Sequence, residues 1–154
     1  MLMDDWKTMV YACESMDGGV SIIVPALHYE GTEEEWLELN ELTRLGHYLR
    51  LYPIQLPGDR YFREAWRLGK ETIEIDLEAA KEIHLNNLRQ QRNKRLAELD
   101  IEAIRSYESC SEEKLDRVIR LKEDLRKMPE DFALNVDNVE DLRHEYPSCL
   151  SDRL

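Results

Sequence analysis

The chain has 154 residues, 21 basic and 33 acidic, and a formal net charge of −12. Its 42% apolar content can fill a core, yet no run approaches the ~18 apolar residues of a membrane span. Such acidity repels nucleic-acid phosphate and anionic membranes at long range, so neither is an expected partner.

The start, MLMDDWKTMV, lacks the basic-then-apolar order of a signal peptide. Lys7 to Glu14 and Gly19 to Ala26 are β-rich, and Asp17-Gly18-Gly19 between them suits a tight turn, so a β-hairpin is predicted. A hairpin is marginal alone and must pack on something. Thr32 with Glu35 forms a capping box, and Trp36, Leu39 and Leu42 to Leu45 extend the predicted helix to about Gly46. Arg50 to Leu56 suits a short strand at a sheet edge because of Pro53. Asp59 is placed to cap a short helix through Leu68, with Phe62, Ala65 and Trp66 inward and Gly69 ending it. Thr72 to Ile75 alternates as a strand, and Asp76 caps the element that follows.

From Leu77 to about Glu108 there is neither Gly nor Pro, which predicts ~45 Å of helix. Its apolar stripe runs Leu85, Leu88, Leu96, Leu99, Ala103 and Tyr107, interrupted at Arg92, whose stem can snorkel across the gap. Arg95 is spaced to pair with Glu98. Ser111 opens a second helix, with Leu115, Val118, Leu121, Leu125 and Met128 on one face and Pro129 as its stop. The short connection predicts an antiparallel helical hairpin. In the tail, Phe132, Leu134 and Val136 precede a last helix from Val139 to Glu145 capped by Asn138, with Leu142, Tyr146 and Leu150 as anchors.

Charge divides along these lines. Residues 1–76 carry 7 basic and 15 acidic side chains, residues 77–128 carry 12 and 11, and residues 129–154 carry 2 and 7. The helical hairpin is thus near neutral between two acidic ends. The predicted fold class is α+β: a small domain with a β-hairpin and short helices over 1–76, a helical hairpin over 77–128, and an acidic tail with a short helix over 129–154.

The residues offer little chemistry. His28, His47, His84 and His144 stand alone, and no CxxC exists, so no metal site is predicted. Cys13, Cys110 and Cys149 are odd in number and far apart, as in a reduced cytosolic protein. No G-x-S-x-G or phosphate-cradling glycine loop occurs. Glu74 and Asp76 share a strand face, but nothing marks a pocket around them. The one basic cluster, Arg89 to Arg95, reads first as a solvated helix face, since no aromatics interleave it. No catalytic residue and no cofactor are expected. A long helix with so thin an apolar stripe needs another chain or domain to complete its core, which predicts self-association and favours an interaction protein.

The hairpin carries R-x-x-R-N-x-x-L-A-x-x-D (Arg89, Arg92, Asn93, Leu96, Ala97, Asp100), then L-R-x-M-P (Leu125, Arg126, Met128, Pro129), then P-x-x-L (Pro147, Leu150). This order and spacing, over Leu88 to Leu150, resembles the tail assembly chaperone proteins of tailed bacteriophages and prophages. The first half is similar to small prophage proteins in D-G-G-V-S (Asp17 to Ser21) and D-R-x-F-R-x-A-W (Asp59 to Trp66). Ile101 and Tyr146 stand where the resembling chaperones carry tryptophan. The resemblance implies a non-enzymatic accessory protein of phage tail or tail-fibre assembly in the host cytoplasm. It would bind a tail component through Arg92, Asn93, Leu96, Asp100, Leu125, Met128 and Pro129. Leu96, Leu125 and Met128 equally suit the hairpin's own packing. Three alternatives stay open: a structural component of the tail particle, an acidic inhibitor of a host nucleic-acid-binding defence protein and, last, an unrecognised enzyme.

Overall fold

The computed structural model describes residues 5–131 and 136–151, with the backbone alone at 129–131. It is α+β and divides into two compact units, Met1–Ala80 and Lys81–Leu154.

The first unit is built on strand β1 (Val10–Glu14), which pairs antiparallel with β2 (Val20–Ile23) and β3 (Tyr48–Leu51) in the order β2-β1-β3. The β1–β2 turn forms as predicted: Gly18 takes a φ of +79°, and Ser15 N–H donates to the Gly19 carbonyl. The Ser15 hydroxyl and Gly19 N–H donate to the Asp17 carboxylate and hold it below its usual range.

Alternation along β1 sends side chains to two cores. Tyr11 and Cys13 join Trp6, Met9, Trp36, Leu37 and Leu42 on one face, where Tyr11 and Trp36 have ring centroids 4.8 Å apart. Val10 and Ala12 join Val20, Leu49, Leu51, Trp66 and Ile73 on the other. A strand buried on both faces explains why VYAC is an unbroken small-to-large apolar run.

Helix α1 (Glu33–Leu39) begins with the predicted capping box between Thr32 and Glu35 but ends seven residues before Gly46. The Asn40 side-chain amide donates to the Trp36 carbonyl at 2.8 Å, and Glu41 turns left-handed at φ 58°. This bend carries Leu42 into the core and leaves Leu39 and Leu45 exposed. The predicted strand at 50–56 is shifted to β3, and Pro53–Gln55 form a 3-10 turn instead.

The helix predicted from Asp59 to Leu68 does not form. Asp59 caps only a local turn, accepting from Tyr61 N–H at 2.9 Å, and a 3-10 turn at Arg63–Ala65 runs into β4 (Trp66–Leu68). β4 pairs with β5 (Ile73–Ile75). Gly69 therefore turns a second hairpin, its N–H donating to the Thr72 carbonyl, where it was expected to end a helix. Trp66 pairs across the hairpin with Ile75 and is buried in one cluster with Ile73 and the three-stranded sheet, which wins over helical spacing.

The Tyr11 hydroxyl donates to the Glu33 carboxylate, which also lies 3.4 Å from Arg50 Nε. Burial, reinforced by Glu33, raises the Tyr11 phenol well above its usual range, so it stays a donor at neutral pH. The bond ties α1 to the central strand. Tyr11→Phe is expected to cost about 1–2 kcal/mol in urea unfolding; no measurable loss would show that the bond is idle.

The second unit is a helical hairpin. Helix α2 (Leu77–Glu108) starts where Asp76 Oδ1 accepts from Glu78 and Ala79 N–H at 3.0 and 3.1 Å. Within this unit its buried residues run His84, Leu88, Leu99 and Ser106, with Leu96 and Ala103 half-buried. Tyr107, expected in the seam, is 77% exposed, and Ser106 takes its place. Helix α3 (Glu112–Asp131) packs back through Val118, Leu125 and Met128. Its backbone continues two residues past Pro129 to Asp131, so the proline, which lacks a donor and crowds the preceding turn, stands in the last turn and does not stop the helix at once.

The expected tail helix is shorter, α4 (Val139–Leu142), and Asn138 caps it by accepting from Asp141 N–H. Helix α5 (Ser148–Ser151), not foreseen, brings Cys149 and Leu150 against Leu99, Val118 and Leu125. His84 Nε2 meets the Glu145 carbonyl at 2.7 Å, and Tyr146 hydroxyl donates to Gln91. The tail thus completes the core of the hairpin. Phe132 and Leu134 lie outside the described residues.

Candidate partner-binding face of the helical hairpin

On a helix, residues three or four apart share a face. Arg89, Asn93, Leu96, Asp100, Ile104 and Tyr107 form one such row on α2. Leu115, Ile119, Lys122 and Arg126 form another on α3. One ion pair and one shared cavity show that these rows lie side by side. Lys122 Nζ donates to Asp100 Oδ1 at 2.5 Å, and Tyr107 and Leu115 line one cavity of about 560 Å³ at the hairpin's turn. Ser106, Glu108, Cys110 and Glu112 also line it, and Cys110 turns the chain at a φ of +51°.

The contact of Tyr146 falls on a different side. Gln91, which holds Tyr146, is two residues from Asn93, and positions two apart on a helix point away from each other. Along the double row Ile104 is 60% and Ile119 45% exposed, while Leu96, at its edge, packs partly on the hairpin's core with Cys149 and Leu150. Apolar side chains in a continuous row beside polar ones are the usual anatomy of a protein-binding patch.

The residues expected to contact a partner separate into two groups. Asn93 and Asp100 are exposed and Leu96 half-buried on the open face. Arg92 is half-buried on the seam side, its Nε and Nη2 donating to Asn93 Oδ1 at 3.2 and 3.0 Å. Leu125 and Met128 lie inside the unit, at 0% and 4% exposure, and reach no partner while it is folded. Pro129 lies in the last turn of α3, where only the backbone is described. Ile104 and Ile119 were missed because neither belongs to the apolar stripe of its helix. The signal was an isoleucine off the main stripe but three or four residues from another apolar side chain, Ile104 from Tyr107 and Ile119 from Leu115.

Three arginines of the basic cluster bond to neighbours on their own helix. Arg95 pairs with Glu98 at 3.1 Å as its spacing predicted, and Arg89 donates to Asn86. Asp76 of the considered carboxylate pair caps α2 and faces Arg67 at 3.9 Å. In the first unit a cleft of about 430 Å³ lies between the Ser15–Gly19 turn and Arg63, Glu64 and Arg67, with its charges balanced. No group of three or more His, Cys, Asp or Glu among the described residues is placed to hold a metal ion. No helix among them is long and apolar enough to cross a membrane.

The cysteines differ in exposure. Cys13 is buried, and burial raises its thiol, whereas Cys110 is exposed. Iodoacetamide at about pH 8 should label Cys110 well before Cys13, because the thiolate is the nucleophile. Equal labelling rates by mass spectrometry would contradict this burial.

No family model matches the chain, and neither a curated protein nor a solved structure matches it.

Proposed function

We propose that this chain is a non-enzymatic accessory protein of phage or prophage tail assembly, binding a tail or tail-fibre protein through the open face of its helical hairpin. The observation that carries the reading is the double row itself. Ile104, Tyr107 and Ile119 stand exposed beside Asn93, Leu96 and Asp100, three positions of the segment that resembles tail assembly chaperones. Such a face supports holding a client, and the host cytoplasm is where a client would be held. Leu125 and Met128 serve the reading indirectly, by keeping the two rows side by side.

The test is capture from infected bacteria with tagged full-length chain. Tail or tail-fibre protein should be recovered, and Ile119→Glu should reduce recovery at least about tenfold, as loss of a central apolar anchor does, while leaving the helical circular dichroism intact. Recovery of no tail component, or recovery indifferent to Ile119→Glu, would sink the proposal.

A further inference from the structure

The open face has a charge pattern along its length. At one end Arg89 is exposed and donates to the uncharged Asn86 side chain on its own helix, with exposed Arg126 on α3 toward the same end. At the other, Glu108 and Glu112 are exposed beside the cavity of Tyr107 and Leu115. Between them the Asp100–Lys122 pair neutralises itself. Glu123, next to Lys122, sits near mid-length and biases neither end.

We propose that this face pairs with the same face of a second copy of the chain, laid antiparallel across it. Leu96 and Ile104 lie four residues either side of Asp100. A two-fold axis near Asp100 therefore sets Ile104 of each copy over Leu96 of the other. Arg89 lies eleven residues from Asp100, or ~16 Å, and Glu108 eight residues, or ~12 Å. The same axis thus brings each copy's arginine end against the other's glutamate end. A parallel copy would instead oppose like charges at both ends. Self-complementarity about a two-fold is what an isologous dimer requires.

The row from Arg89 to Tyr107 spans ~27 Å, and two helices are ~20 Å wide, so the footprint is roughly 550 Å² per copy. A total near 1,100 Å² is at the low end for specific association and fits a reversible dimer. It concerns the face that the proposed function uses, so the copy is the resting occupant that a client displaces, a consequence that rests on that reading. The dimer itself does not.

The test is the mass of the full-length chain by sedimentation equilibrium, with no client present. Wild type should associate with a Kd of about 1–100 µM. Ile104→Glu should raise that Kd at least about tenfold without loss of helical signal. Arg89→Glu should also weaken association, and Arg89→Glu with Glu108→Arg and Glu112→Arg should restore it, because the reversed ends are complementary again. A monomeric mass up to about 1 mM would overturn the proposal, as would a dimer indifferent to Ile104→Glu. Failure of the triple variant to restore association would overturn the antiparallel arrangement. Client capture can succeed or fail independently of each of these outcomes.

Discussion

Leu125→Ala is expected to destabilise the second unit by about 2–5 kcal/mol. Leu125 is fully buried between Leu99 and Val118, where the two long helices and α5 meet. Truncation removes apolar contact and leaves a cavity that helix backbones cannot collapse to fill. A unit of this size, at roughly 0.05–0.15 kcal/mol per residue, holds about 4–11 kcal/mol in all. The change can therefore take most of its stability. The chain supplies its own assay, because Trp6, Trp36 and Trp66 all lie in the first unit, whereas α2 and α3 provide most of the helix. In urea, the circular-dichroism midpoint of Leu125→Ala should fall while the tryptophan-fluorescence midpoint holds. Joint movement of both midpoints would show that the units unfold as one. Capture of a client should also be lost in Leu125→Ala, but together with helical signal, unlike the loss in Ile119→Glu.

Trp66→Ala is expected to show the opposite pattern, costing about 3–5 kcal/mol in the fluorescence transition, followed through Trp6 and Trp36, and little in the helical one. Trp66 is 1% exposed and fills the core between the three-stranded sheet and β5. The Arg63 guanidinium lies 5.5 Å from its ring centroid. Its indole N–H finds no acceptor among the described residues, and a buried donor left so costs about 1–3 kcal/mol. Trp66→Phe keeps a ring under Arg63 and removes that donor. Its loss should accordingly be well below that of alanine. Equal losses for Phe and Ala would mean that the indole N–H contributes a bond after all.

Both predictions depend on burial, and burial was unequally legible. Val118, Leu125 and Met128 recur at helical spacing over a segment without Gly or Pro, and they are buried as that spacing implies. The Asp17-Gly18 turn and the Thr32–Glu35 and Asp76 caps were legible because each satisfies its backbone donors within a few residues. The segment from Asp59 to Leu68 was not. Its caps and apolar spacing suit a short helix, but Trp66 is worth more against Ile73 and the sheet than one helical turn is worth alone. α1 ended early for a related reason, since only the bend at Asn40 and Glu41 lets Leu42 be buried.

The candidate face was half legible. Asn93, Leu96 and Asp100 were marked by resemblance, and i, i+4 spacing puts them on one side of α2. Helical spacing put Leu125 inside and left Ile104 off the stripe, but it gave no sign that Ile104 would stand in an exposed row beside α3. Which side of a helix becomes interior depends on what packs there, and here that is α3 together with a tail helix whose four residues carry no strong signal of their own. Composition, capping chemistry and periodicity acted within a few residues of chain and determined the β-hairpin, the two long helices and their acidic flanks. The second hairpin at Gly69, the seam through Ser106 in place of Tyr107, and the open double row were decided by contacts between segments far apart in sequence, whose burial outweighs local preference.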